Sequence, residues 1–215
     1  MDTGALQPGR RRVVLDIEAT GEAFGRSPRI CEVAAIEFNE RFEPVASFQQ
    51  YINPMARVTP GAFRVHGLSN QFLRSYPRFH RVCDSLLDFL QGAEVYAHGA
   101  GNDRRYLDLE LSRDGRRSSL ESGIAWVDTL AIAKQIPDLD RPGIDGLCEY
   151  FGMDPELRER HGAMTDCALL LSLLPLMEGQ LEAGWEPDGI IEWIEIHERH
   201  LFVLPGFGAA QGGLH

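Results

Sequence analysis

The sequence predicts an α/β fold, a mixed five-stranded sheet flanked by helices, from three observations. Short β-branched and apolar runs open the chain, apolar residues at three- and four-residue spacing follow from Pro60, and the two patterns then alternate to about residue 174. A meander followed by β-α-β-α units builds a mixed sheet with helices packed on its faces.

Val13-Val14-Leu15-Asp16-Ile17-Glu18 is short, apolar and β-branched, and it ends at Thr20-Gly21, so it reads as a buried strand entering a turn. Ile30 to Phe38 and Val45 to Ile52 are the next two strands. The polar Asn39-Glu40-Arg41-Phe42-Glu43-Pro44 parts them, and the three strands make an antiparallel meander. Val82, Leu86, Leu87, Phe89 and Leu90 repeat at helical spacing until Gly92 ends the helix. Beyond it, Ala93 to His98 reads as a strand, Asp103 to Ser112 as a helix and Ala125 to Val127 as a short strand. Leu130 to Gln135, Ile144 to Phe151 and Met164 to Leu174 read as helices.

A chain of 215 residues, 44% hydrophobic and 25% charged, is long enough for one sizeable core. The expected organisation is a disordered leader over 1–10, one domain over 11–179 and a tail over 180–215 with an amphipathic helix from Ile190 to Leu204. No window approaches the roughly 18 apolar residues of a membrane span and the first residues hold no signal-peptide core, so a cytoplasmic location is expected. Cys31, Cys83, Cys148 and Cys167 lie in apolar stretches without C-x-x-C spacing, the pattern of buried free thiols rather than of zinc ligands.

The 21 Lys+Arg against 32 Asp+Glu leave a net charge of −11, which argues against a module that tracks a nucleic-acid backbone by counterion release. A polyanion must be met locally, by cations held on carboxylates or by small clusters such as Arg10-Arg11-Arg12 and Arg104-Arg105.

Four acids are the candidates for holding such cations. Strand alternation puts Asp16 and Glu18 on one face and Leu15 and Ile17 on the other. Alone, a strand D-x-E is more often a solvated face, but the flanking apolar residues mark a strand with little access to solvent. Asp103 follows the Gly-rich Gly99-Ala100-Gly101 and opens a helix, where the segment by itself favours an N-cap. Asp166 begins the apolar helix of Cys167 to Leu171. His161, five residues earlier, falls in the preceding loop or first turn. If the acids converge within about 5 Å, each ionised pair repels by roughly 3 kcal/mol at an effective dielectric of 20, so the cluster needs cations. Hard oxygen ligands select Mg²⁺ or Mn²⁺, and an imidazole titrating near neutrality can take a proton from water.

These residues resemble the DEDDh family of 3'→5' exonucleases, most closely its branch of bacterial DNA polymerase III epsilon subunits. The resemblance spans roughly Arg11 to Gln180 in matching order. Its first motif is Asp16-Ile17-Glu18-Ala19-Thr20-Gly21, its second ends at Asp103, and its third is His161-x-Ala163-x-x-Asp166. The resemblance implies a ribonuclease-H-like exonuclease fold. It implies Asp16, Glu18, Asp103 and Asp166 as ligands of two Mg²⁺ or Mn²⁺, and His161 as general base. It also implies that Thr20 and His66 hold the terminal nucleotide of a single-stranded or frayed DNA 3' end, in a proofreading or repair role that admits a polymerase partner. The second motif departs from the usual H-N-A-x-F-D, with Gly99 in place of Asn and Asn102 in place of Phe, and Gly61 replaces the Glu of a P-E-A-F segment. An exoribonuclease similar to ribonuclease T or oligoribonuclease shares the same acids and base, and a non-catalytic polymerase-associated subunit is the alternative of another class.

Overall fold

The computed structural model describes residues 10–22, 27–153 and 162–179. Residues 1–9 of the expected leader, the Ile190–Leu204 helix and His161 lie outside the described residues.

The meander is present: β1 (Arg12–Ala19), β2 (Ile30–Phe38) and β3 (Pro44–Tyr51) pair antiparallel, with Asp16 opposite Ala34 and Glu18 opposite Glu32. Two short helices follow, α1 (Pro60–His66) and α2 (Asn70–Leu73), capped by the hydroxyls of Thr59 and Ser69. The long amphipathic α3 (Phe79–Leu90) then leads into β4 (Glu94–Ala97), α4 (Ala100–Arg113), β5 (Ala125–Asp128), α5 (Thr129–Ala133), α6 (Ile144–Phe151) and α7 (Ala163–Met177). The sheet order is β3-β2-β1-β4-β5, and β4 lies parallel to both β1 and β5.

β1 is central and buried on both faces, and its alternation sorts the core into two layers. Val13, Leu15 and Ile17 pack with Val82, Leu86 and Leu90 of α3 and with Leu107 and Leu111 of α4. Val14 points the other way, with Ala34 and Ile36 of β2, onto Cys167, Leu170, Leu171 and Leu174 of α7. The period of two therefore sends Asp16 and Glu18 toward α7. All four cysteines are free and buried. None of the described helices is long and apolar enough to cross a membrane.

Two helix boundaries differ from the sequence expectation by three residues, the others by two at most. α4 starts at Ala100, three residues early, because Gly99 (φ 85) adopts the left-handed conformation at its N-cap and its N–H donates to Asp128 Oδ1 at 3.0 Å. α7 runs through Pro175 to Met177 rather than stopping at Leu174, with Leu176 buried against α6 and its neighbours. Burying that leucine offsets a helix bond missing only in the last turn.

Candidate active site

The site forms where the sheet splits. β4 pairs with β1 only from Arg12 to Val14, so the carboxyl half of β1 has no strand on that side. The amino end of α4 fills the gap, and Asp103 Oδ1 accepts the Ile17 N–H at 3.1 Å, taking up a donor that β4 leaves without a strand partner. A helix N-cap is therefore not the role of Asp103. Gly99 occupies that position and Asp103 sits one turn in, 6% exposed, joined to β1. On the β2 side the register shifts between Glu18 and Ala19, where Cys31 of β2 is the extra residue, just past the second acid.

Asp16 and Glu18 leave β1 on the face covered by the first turn of α7, which carries Asp166. One carboxylate oxygen from each of these three side chains lies within 4.8 Å of the others. Asp103 is not a member of that trio, yet among the surrounding charges it acts on Asp16 most strongly, ahead of Asp166, Glu18 and Glu32. Burial, reinforced by these neighbours, raises the Asp16 carboxyl well above its ordinary range. Burial likewise pushes Asp103 up to about 7, against the opposing hydrogen bonds from backbone N–H groups. At 4.8 Å and an effective dielectric of 20, one ionised pair repels by about 3 kcal/mol. Such a cluster is suited to a divalent cation.

The predicted nucleotide-holding residues flank the end of β1. The Thr20 hydroxyl accepts the Arg29 N–H at 3.1 Å and the Thr20 N–H donates to Arg29 O at 2.9 Å, so its side chain fastens β1 to the start of β2. Thr20 O in turn accepts the Thr59 N–H, which brings α1 against the strand. Gly21 makes this contact possible, since its φ is 75° and a Cβ there would sit 2.6 Å from Thr59 Oγ1. His66, buried at the end of α1, accepts the Leu68 N–H on Nδ1, and its buried Nε2 lies near the Ala19 backbone without a hydrogen bond of normal geometry among the described residues. Burial lowers its pKa, opposed by the Ala19 backbone.

Two residues have roles that the sequence did not assign. Glu32, buried on β2 opposite Glu18, has no motif to announce it. Asp128 caps α5 through Leu130 N–H and also receives the Gly99 N–H, which orients the turn before Asp103. A left-handed residue at 99 is open to glycine as readily as to asparagine, so the replacement in the second motif keeps the turn.

The mixed five-stranded sheet flanked by helices, with two acids on its central strand and one on each of two helices beside it, is the ribonuclease-H-like exonuclease fold. The comparisons agree, and the chain belongs to the exonuclease family, whose model, described as "Exonuclease", matches residues 13–174. It is 35% identical over 175 residues to the DNA polymerase III subunit epsilon of Rickettsia conorii, covering 80% of this chain and 76% of that one. The identity to the Escherichia coli subunit is 33% over 187 residues, covering 83% and 76%. Among solved structures, Escherichia coli exonuclease I bound to an oligo-dT strand superposes with a TM-score of 0.69 at 14% identity, over 79% of this chain and 41% of that one. A 3'-exonuclease recognising the histone mRNA stem-loop gives 0.65 at 16%, over 79% and 64%. This chain therefore spans less than two thirds of either solved structure, and both likenesses speak to the fold.

Proposed function

We propose that the chain hydrolyses the terminal phosphodiester at the 3' end of single-stranded or frayed DNA and releases nucleoside 5'-monophosphates one at a time. The observation that carries this reading is the cluster of Asp16, Glu18 and Asp166 within 4.8 Å, with Asp103 behind it. Their oxygens form a hard donor set that fits two Mg²⁺ or Mn²⁺ ions better than zinc. When bound, such cations supply Lewis-acid activation of water and neutralise charge on the phosphate.

The chain's own residues do the rest. Asp16 and Glu18 present carboxylates from a rigid central strand, and Asp166 closes the cluster from α7. His161, two residues before α7 in sequence, is the general base that takes the proton from the attacking water. The His66 Nε2 is a donor for the terminal nucleotide, and Thr20 builds the wall beside it. Exposed Phe63, Val65 and Phe72 on α1 and α2, with Arg64 among them, give bases an apolar surface to stack on and the backbone a cation, despite the acidic whole. The 30–35% identity to polymerase subunits supports a proofreading role beside a polymerase.

The test is a gel time course with 5'-labelled single-stranded DNA and RNA, in Mg²⁺ or EDTA, for the wild type and Asp16→Ala. We expect a metal-dependent ladder shortening from the 3' end, faster on DNA and absent in the variant. Faster loss of RNA would select the exoribonuclease reading, and an intact ladder of both strands the binding-subunit reading.

A further inference from the structure

Glu32 is an acid of this region that none of the three motifs contains. It is 1% exposed, and its place opposite Glu18 on the neighbouring strand sends its side chain to the α7 face of the sheet. Like charges directly opposite each other weaken a strand pair, so the position needs a compensating role. Both carboxylate oxygens accept hydrogen bonds: Oε1 from Gln49 Nε2 on β3 at 2.8 Å, and Oε2 from the Ala163 N–H at 3.3 Å.

Ala163 is the first residue of α7, and its N-cap, Gly162, has no side chain with which to cap the helix. The first N–H groups of a helix lack internal partners and carry partial positive charge, so a buried carboxylate is their natural complement. Here that carboxylate comes from the sheet, 131 residues away in sequence. Glycine at 162 and alanine at 163, which is fully buried, let the helix end approach β2 closely. Most of the remaining contacts of α7 with β1 and β2 are apolar, through Val14, Ala34 and Ile36, with one weak thiol hydrogen bond from Cys167 Sγ to Ala34 O at 3.3 Å further along the helix. Such packing resists separation but has little directionality, so it leaves the helix free to slide or turn by a fraction of an ångström. A hydrogen bond at the first turn removes that freedom three residues before Asp166.

We propose that Glu32 is a positioning residue that fixes the first turn of α7 on the sheet and thereby holds Asp166 against Asp16 and Glu18. It does so without being a metal ligand. The inference rests on the nuclease reading above.

The experiment separates the link from the charge. Glutamine at 32 can accept the Ala163 N–H on its oxygen and donate to Gln49 once that amide turns over, so Glu32→Gln keeps both links and removes the charge. Glu32→Leu removes both links. We would measure kcat and KM on a single-stranded oligonucleotide and on the p-nitrophenyl ester of thymidine 5'-monophosphate in Mn²⁺, with a thermal melt of each full-length variant. Glu32→Leu is expected to lower kcat at least about 100-fold with KM within about twofold, since a shift of about 1 Å in a catalytic group costs that much. Glu32→Gln should remain within about fivefold of the wild type on both substrates. A Glu32→Leu protein with wild-type kcat overturns the proposal, as does a Glu32→Gln protein that falls as far as Glu32→Leu, which would assign the effect to charge. If Glu32→Leu does not fold, Ala163→Pro carries the same test. It deletes the donating N–H and adds two ring carbons, at a first helical position that suits proline and after an extended Gly162 (ψ 141). Its kcat should fall with KM held, and an unchanged kcat overturns the proposal. Failure of the nuclease reading would look different, because the wild type itself would then cleave neither substrate.

Discussion

Replacing Asp16 with asparagine should make the cation-free protein more stable and at the same time abolish its response to metal. Asp16 faces Glu18 and Asp166 within 4.8 Å and feels Asp103 most strongly of all. Each fully ionised pair at that distance repels by about 3 kcal/mol at an effective dielectric of 20. The cation-free protein relieves part of this by holding protons, as the raised Asp16 and Asp103 carboxyls indicate. The gain from Asp16→Asn is therefore a fraction of the sum, about 1–3 kcal/mol, or roughly 3–10 °C in Tm for a domain of this size. In saturating Mn²⁺ the difference closes or reverses. A wild type at about 100 times Kd gains about 2.7 kcal/mol, and the asparagine variant gains little. The assay is a pair of circular-dichroism melts at pH 8, in EDTA and in Mn²⁺, for both proteins. A variant that melts at or below the wild type in EDTA, or that responds to Mn²⁺ equally, would falsify the claim that these acids form one repelling, cation-holding cluster.

Two further outcomes follow from the same geometry. The Asp103 carboxyl is raised by burial from 3.8 to about 7, so its contribution to stability is fully present below about pH 4 and is lost as pH rises through about 7. The cation-free protein should melt lower at pH 8 than at pH 5.5, by an amount on the order of a few kcal/mol, and Mn²⁺ should reverse that trend because it binds the ionised form. Gly21→Ala puts a Cβ 2.6 Å from Thr59 Oγ1 at a φ of 75°. It should cost about 2–4 kcal/mol in a urea titration and raise KM more than it lowers kcat, since α1 and not the acid cluster is displaced.

Periodicity made the sheet legible because β1 and β2 are buried and short, and their boundaries follow the run of apolar residues closely. The pairing of Asp16 with Glu18 was equally legible, since alternation alone puts them on one face. Asp103 shows where local reasoning stops. Its segment favours a cap, and only the divergence of β4 from β1, a property of two strands 80 residues apart, creates the unpaired Ile17 N–H that it satisfies. Glu32 was illegible for the same reason, its partners being on β3 and α7. The departure at Gly99 became intelligible once its φ of 85° was known, because backbone conformation and not side-chain chemistry is what that position demands.

The seating of α7 over β1 also has a bearing on how the protein is made. Asp166 follows Asp16 by 150 positions, and at a synthesis rate of about 5–20 residues per second the ribosome needs roughly 8–30 s to travel between them. During that interval the first strand, with its two acids, exists without the helix that completes the cluster, and Val14, Ala34 and Ile36 have no α7 to cover them. On the proposed role of Asp166, a nascent chain is chemically silent while its apolar sheet face is exposed to other polypeptides. The proposed acid cluster and the cover over that apolar face arrive together, with the emergence of a single helix.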